Sequence, residues 1–324
     1  MHIEKRQVKR LKASGTRGKK TKYYLAHAFR ADGKVKKIRI YLGSDIKAAR
    51  KKKPSAEQII MERIRAYKRI SDPFRHVLNT TEIGEIKSLE AKGDIDIRHL
   101  NKDDWRTFVE SFVYDTNAIE GSSVTFTEVK DILEKQQWPR EREKWEISET
   151  YGVKDAVQLI RSTKKHLSLE LMKELHRACF RNSKSFAGEF RKKGQEAAVV
   201  DVQGRIIHRG APSDMVVKLL KDLVSWYNKT KRKYPPVVLA VVVHNQFETI
   251  HPFADGNGRV GRLLLNNILL KHGKPPVNIQ LKNRKEYYAA LRDYQETGNI
   301  RPMIELILKE YRNLKKLLDR PKRP

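Results

Sequence analysis

The sequence predicts a mainly α-helical bundle that carries one short β-hairpin and is preceded by a small, basic, β-rich N-terminal segment. Three observations predict this. Apolar residues recur at helical spacing over most of the chain beyond residue 54; the stretch AAVVDVQGRIIHRGAPSD (197–214) breaks that rhythm; and the first 53 residues read as β-prone runs joined by a turn. With 324 residues and 39% hydrophobic content, the chain can fill a large core.

In the N-terminal segment, TKYYLAHAFR and VKKIRIYLG flank ADGK, where Asp32-Gly33 supplies a favoured tight-turn dipeptide, so a basic hairpin is expected. KAARKKKPS then ends the pattern, and Pro54 and Ser55 are placed to open a helix through EQIIMERIRAYKRI. This sets a boundary near residue 54, with residues 54–100 as a helical linker region and residues 101–310 as the core. Within the core, Val153, Ala156, Val157 and Ile160, then Leu169, Met172 and Leu175, then Val217, Leu220, Leu223 and Val224 keep the helical period. In the interruption, VVDV and RIIH flank Gln203-Gly204 as a short hairpin. Residues 311–324 form a basic tail, of which the end, LLDRPKRP, is expected to fray.

Charge is uneven. The net charge is +30, and residues 1–53 hold 19 Lys and Arg against 3 Asp and Glu, the electrostatic footprint of polyanion contact; a solvated surface is the plainer alternative. Tyr23, Tyr24, Phe29 and Tyr41 among those lysines permit nucleic acid as that polyanion. No apolar stretch reaches 18 residues, the longest run being VVLAVVV, and MHIEKRQVKRLK has no apolar continuation, so neither membrane spanning nor export is expected. The single cysteine, Cys179, permits no internal disulfide and fits a reducing, cytoplasmic setting as a small buried residue.

The chemistry concentrates in HPFADGNGRVGR, His251 to Arg262, directly before LLLNNILL. Val260, Leu263, Leu264, Ile268 and Leu269 recur at helical spacing, which puts Gly256, Asn257 and Gly258 at a helix N-terminus. There the first N–H groups lack intrahelical partners and the dipole is positive, so an anion is the natural guest. Arg259 and Arg262, spaced i, i+3, suit a polyphosphate, since each guanidinium can take a separate phosphate. Asp255 among phosphate binders makes sense as a Mg2+ ligand. His251 beside an activated phosphate can take a proton from an incoming hydroxyl, and Phe253 anchors the loop.

HPFADGNGR resembles, position for position, the signature of the Fic (filamentation induced by cAMP) domain family: His, any residue, Phe, any residue, Asp or Glu, then GNGR, with a further Arg three residues on. AGEFR (Ala187–Arg191), the hairpin, NRKEYYAAL (Asn283–Leu291) and FVYDTNAIEG (Phe112–Gly121) resemble the family as well, so the resemblance covers roughly residues 75–310. It implies a Fic-type helical bundle that transfers AMP from ATP to a Ser, Thr or Tyr hydroxyl of a target protein, making it a nucleotidyltransferase. By the same resemblance His251 is the general base and Asp255 holds Mg2+. Gly256, Asn257 and Gly258 form the anion hole, Arg259 grips the β-phosphate and Arg262 the γ-phosphate. The hairpin becomes a flap that holds the target segment as an added strand, and a homodimer is a further expectation from the family.

TNAIEG (Thr116–Gly121) resembles the family's inhibitory motif, in which Glu120 pairs with Arg262 and blocks productive docking of the γ-phosphate; in some relatives the same glutamate serves AMP removal. Two alternatives stand beside AMP transfer: transfer of a different phosphate-containing group, and a nucleic-acid-binding regulator acting through residues 1–53 with a silent core. Other signals point to no chemistry. SGTRGKKTK (14–22) has the wrong glycine spacing for a phosphate loop; His244 and Glu248, at i, i+4, lack the order of a zinc helix; and Tyr287-Tyr288 are core aromatics, with one of them a candidate to flank adenine.

Overall fold

In the computed structural model the described residues are 1–11, 17–31, 34–71, 80–81, 84, 88, 100–200 and 206–318, and they fall into two compact units divided between Asp72 and Pro73. In the first unit, β1 (His2–Leu11), β2 (Arg17–Ala31) and β3 (Lys34–Gly43) form an antiparallel sheet in the order β1-β2-β3. β2 and β3 are the expected hairpin, although its Asp32-Gly33 turn lies outside the described residues. β1 adds a strand that the sequence reading does not assign: of its apolar residues Ile3, Val8 and Leu11, Val8 differs in parity from the other two, so no alternating pattern announces it.

Helix α1 (Ile46–Ser71) covers one sheet face, packing Ala49, Ala56, Ile60 and Ile64 against Leu25 and Leu42. Pro54 lies inside this helix and does not start it, and the division between units falls at residue 72, well beyond the expected 54. The true start is capped by Asp45, whose Oδ1 accepts the Ala48 N–H at 2.7 Å. A proline removes one intrahelical hydrogen bond, but core contacts at Ala49 before it and Ala56 after it carry the helix through.

The second unit is helical. Its elements are α2 (Lys102–Ile119), α3 (Phe126–Lys130) continuing as one π-turn (Asp131–Lys135), α4 (Lys144–Ser162), α5 (Leu169–Phe180), α6 (Val216–Thr230), α7 (Pro236–Ile250), α8 (Asn257–Lys271), α9 (Arg284–Thr297) and α10 (Arg301–Leu318). The starts follow local chemistry: Asn101 and Asp104 form a reciprocal capping box on α2, as do Thr125 and Glu128 on α3. The apolar run VVLAVVV is the middle of α7, which is buried on all sides and packs against α8. Tyr311 and Leu314 are buried on α10, so the helix continues to 318, well into the segment expected as a basic tail; residues 319–324, most of the stretch expected to fray, lie outside the described set.

The interruption between α5 and α6 is a hairpin. β4 (Ala198–Val200) and β5 (Ile206–Arg209) pair antiparallel with Ala198 opposite Arg209, while its Gln203-Gly204 tip lies outside the described residues. Among the described residues no helix is long and apolar enough to cross a membrane.

Candidate active site

The loop between α7 and α8, together with the first two turns of α8, holds every position of the sequence motif. α7 ends on His251, which takes the left-handed conformation (φ 52°) and so turns the chain sharply into Pro252. Arg191 holds this strained corner. Its guanidinium, fully buried, donates from Nε to the His251 carbonyl (2.8 Å), from Nη2 to the carbonyls of Ala211 (2.8 Å) and Ile250 (3.3 Å), and from Nη1 to the Gln195 carbonyl (2.8 Å). A cation at the C-terminal carbonyls of α7 also complements the helix dipole. Gly210 is needed beside it: a Cβ there would lie 2.9 Å from Arg191 Nη2 and 3.0 Å from the His251 Cβ.

The His251 side chain is only 14% exposed, and its Nδ1 lies 3.3 Å from the Glu248 carbonyl oxygen, which can only accept. Nδ1 therefore carries the proton and Nε2 the lone pair, the tautomer a base needs. Phe253 is buried and stacks on His176, with ring centroids 3.9 Å apart and 16° between planes. His176 is itself held: Nδ1 accepts from the Gly188 N–H (2.8 Å), so Nε2–H donates to the Asp255 carbonyl (3.0 Å). Burial pulls this imidazole down to about 4, keeping it neutral. Asn257 spends its whole side chain on the loop, accepting from Phe253 N–H (2.8 Å) and donating to the Phe253 carbonyl (2.9 Å). Its part in an anion cradle is thus limited to its backbone.

α8 begins after Gly256, which has φ 79° and offers no side-chain cap. A Cβ at Gly256 would sit 2.3 Å from the Phe180 ring, so glycine is required on both conformational and steric grounds. Asp255 accepts from Gly256 N–H (2.6 Å) on one oxygen and pairs with Lys184 Nζ (2.8 Å) on the other. Partial burial pushes this carboxyl up, but Lys184 and Arg259 outweigh it and hold Asp255 below the usual carboxylate range, hence ionised. An ionised, half-exposed carboxylate fits Mg2+ bound through one protein ligand plus phosphates, with the Lys184 ammonium as the group to be displaced.

Each arginine of the motif already grips a carboxylate. Arg259 Nη1 binds Glu149 Oε2, and the guanidinium lies 4.4 Å from the centre of the Phe180 ring. Arg262, 2% exposed, donates from Nη2 to Glu120 Oε1 (2.7 Å) and to the Thr116 carbonyl (3.0 Å), and from Nε to Thr116 Oγ1 (2.7 Å). Burial pulls Arg262 down and the Glu120 charge more than restores it. Thr116 and Glu120 are one turn apart at the end of α2, where Gly121 (φ 100°) terminates the helix. The Glu120 carboxylate also rests on the α8 N-terminus: a Cβ at Gly258 would lie 2.1 Å from Glu120 Oε1. An anion therefore occupies the place where helix dipole and guanidinium converge.

The structure thus brings together His251, Asp255, Gly256, Asn257, Gly258, Arg259, Arg262, Thr116, Glu120 and Gly121. It adds Glu149, Lys184, Arg191 and His176, which sequence reasoning did not assign roles. Glu149 did leave a signal, because it shares the buried face of α4 with Val153 and Ala156, where a carboxylate needs hydrogen-bonding or cationic partners. Tyr287 is buried, bonding His244 Nε2 through its hydroxyl (2.9 Å), with Arg262 Nη1 at 3.4 Å, while Tyr288 is half-buried with its hydroxyl on the Ile119 carbonyl (3.4 Å). Cys179 is buried and its thiol is pushed up to about 12, as befits an unreactive core residue.

Glu248 lies beneath this site, buried, with Oε1 lacking a hydrogen-bond partner among the described residues and Oε2 3.9 Å from His251 Nδ1. Burial pushes its carboxyl from the ordinary 4.5 up to about 8; the Glu120 charge adds to the push and Arg262 opposes it. The folded chain then keeps a proton that the unfolded chain releases, so stability falls as pH rises from about 4.5 to about 8 and levels off above. Glu248→Gln removes that loss. Urea unfolding is expected to show the variant more stable than wild type by roughly 5 kcal/mol at alkaline pH, with the difference vanishing toward pH 4. A difference that does not change with pH would contradict the buried, protonated carboxyl.

Known proteins resemble the chain in sequence over this region and in fold. Residues 166–269 match the sequence profile of the Fic/DOC family. The chain is 31% identical over 206 residues to protein adenylyltransferase fic-1 of Caenorhabditis elegans, an alignment covering 61% of this chain and 39% of that protein. It therefore spans about two fifths of the length of that relative. Two solved structures share the fold: a Fic-domain-containing signalling protein of Bacteroides thetaiotaomicron (TM-score 0.62, 24% identity, 71% of this chain and 94% of that one) and Fic-1 of C. elegans (TM-score 0.61, 24% identity, 82% and 84%).

Proposed function

We propose that this chain, which carries a Fic/DOC domain across residues 166–269, is a protein adenylyltransferase restrained by its own Glu120. The observation that supports the reading best is the Glu120 carboxylate itself, seated on the N-terminus of α8 and in the fork of Arg262. It stands in for a terminal phosphate: an oxyanion held by the donors that a triphosphate needs.

With Glu120 withdrawn, ATP lies along the first turn of α8. Backbone N–H groups of Asn257 and Gly258, presented by the turn at Gly256 whose own N–H is held by Asp255, cradle its phosphates, while Arg259 takes the β-phosphate and Arg262 the γ-phosphate. Mg2+, when bound by Asp255, supplies charge neutralisation on the phosphate oxygens. A target Ser, Thr or Tyr oxygen attacks the α-phosphorus; its proton passes to His251 Nε2, the bond to the bridging oxygen of the β-phosphate breaks, and pyrophosphate departs. Positioning and fixed charge carry this chemistry, as is usual for phosphoryl-type transfer. The hairpin β4–β5, close to the base through Gly210, is the element for a target segment to extend as a third strand.

The test is incubation of the Glu120→Gly protein with ATP and Mg2+, read by intact-mass spectrometry of the protein and by pyrophosphate release. Addition of one AMP per modified hydroxyl with equimolar pyrophosphate is expected. A phosphate-sized addition, or ATP left intact while calorimetry detects no nucleotide binding, would overturn the reading.

A further inference from the structure

The sheet of the N-terminal unit has two chemically different faces. Leu25, Ile38, Ile40 and Leu42 point toward α1 and form its core. Side chains alternate along a strand, so the register assigns Glu4 and Arg6 of β1, Lys22 and Arg30 of β2, and Lys37 and Arg39 of β3 to the other face. That face leaves Val35 66% and Tyr41 50% exposed.

Its cations are arrayed across the sheet. Glu4 accepts from Arg39 Nε (2.9 Å) and Arg6 Nη2 (3.1 Å), with Lys37 Nζ at 3.4 Å, so one carboxylate holds three cations from the two outer strands. The reach from β1 to β3 passes over Ala26 of the middle strand, where a long side chain would block it. Arg6 and Arg39 hold Glu4 down at about 2, so the arrangement persists at any ordinary pH. A face with five cations, three of them sharing one carboxylate, is complementary to a line of phosphates.

Two features choose among nucleic acids. Tyr24 and Tyr41 pack on each other (centroids 5.3 Å apart), and Lys22 Nζ lies 5.7 Å from the centre of the Tyr41 ring, so the aromatic faces are already engaged and form a poor platform for stacking single-stranded bases. Neighbouring strands lie about 4.8 Å apart, making the three-stranded backbone roughly 10 Å wide. The B-form major groove is about 12 Å wide. A-form RNA offers only a deep, narrow one.

We propose that this sheet face docks on duplex DNA, entering the major groove and holding phosphates through Arg6, Lys22, Arg30, Lys37 and Arg39. The proposal is independent of the AMP-transfer reading and does not fall with it.

The test is fluorescence anisotropy of the full chain with a labelled duplex of about 20 base pairs across a salt series, with single-stranded DNA and an RNA duplex of the same sequence in parallel. Duplex DNA is expected to bind tightest. The triple change Lys22→Ala, Arg30→Ala, Lys37→Ala is expected to cut affinity at low salt at least about tenfold and to flatten the log–log salt slope by about 2 to 3, each lost phosphate contact removing ~0.9. Glu4→Gln, which removes a negative charge from the face, is expected to tighten binding, a change that unfolding cannot mimic. The control is Lys47→Ala, Arg50→Ala, Lys51→Ala on the exposed side of α1, with circular dichroism melts verifying every variant. If the α1 changes flatten the slope as much as the sheet changes, if Glu4→Gln leaves affinity unaltered, or if single strands or RNA bind as tightly as duplex DNA, the proposal is wrong.

Discussion

Glu120→Gly is expected to raise AMP transfer about ten- to a hundredfold, because a charge-assisted hydrogen bond of ~1.5–3 kcal/mol that competes with phosphate is removed. The geometry explains why the gain is not offset by a disordered arginine. Arg262 keeps its Nε bond to Thr116 Oγ1 and its Nη2 bond to the Thr116 carbonyl, and its guanidinium remains beside Tyr287. Only the donor directed at Glu120 is freed, in a guanidinium already oriented and 2% exposed. Glycine also suits the position conformationally, since Glu120 follows the last residue of α2 and precedes Gly121, which already ends the helix in the left-handed region. Initial rates of pyrophosphate release, wild type against variant at equal ATP, measure the ratio. Equal rates would mean that Glu120 does not compete with nucleotide. A further comparison with Glu120→Gln separates charge from bulk: the amide still fills the space against Gly258 but carries no charge, so an intermediate rate is expected.

His251→Ala in the Glu120→Gly background is expected to lower the rate by about 10²- to 10⁴-fold, the usual contribution of a positioned general base. Nucleotide affinity should be nearly unchanged, because the cradle is built by the α8 N-terminus and the two arginines, none of which relies on the imidazole. The left-handed corner at residue 251 should survive as well: it is fixed by Arg191 through the main-chain carbonyl, which alanine retains. Calorimetric titration of ATP alongside single-turnover rates tests both halves. Loss of nucleotide binding together with rate would show that the ring supports the loop and not the chemistry.

Much of the site was legible because its parts are contiguous. From His251 to Arg262 the functional groups follow one another along a helix end, a turn and a helix start, and their spacing alone gives their placement. Thr116 and Glu120 lie far upstream, and the motif resemblance, not periodicity, pairs them with Arg262. Glu149, Lys184 and Arg191 act across distances in sequence that no local pattern encodes: Glu149 meets Arg259 from another helix, and Arg191 reaches carbonyls on two separate segments. In the N-terminal unit, local signals misled at Pro54, where tertiary contacts on both sides override a helix breaker, and were silent at β1, whose membership of the sheet depends on pairing with β2.

The Arg191 guanidinium joins the foot of the flap, at Ala211, to the last carbonyls of α7, at Ile250 and His251. One rigid planar group thus serves as a common hinge pin for the reading arm and the reacting corner. On the function proposed above, leverage applied to the arm at its root reaches the imidazole with little slack, so a ligand strand that seats out of line would carry its misfit straight to the proton acceptor.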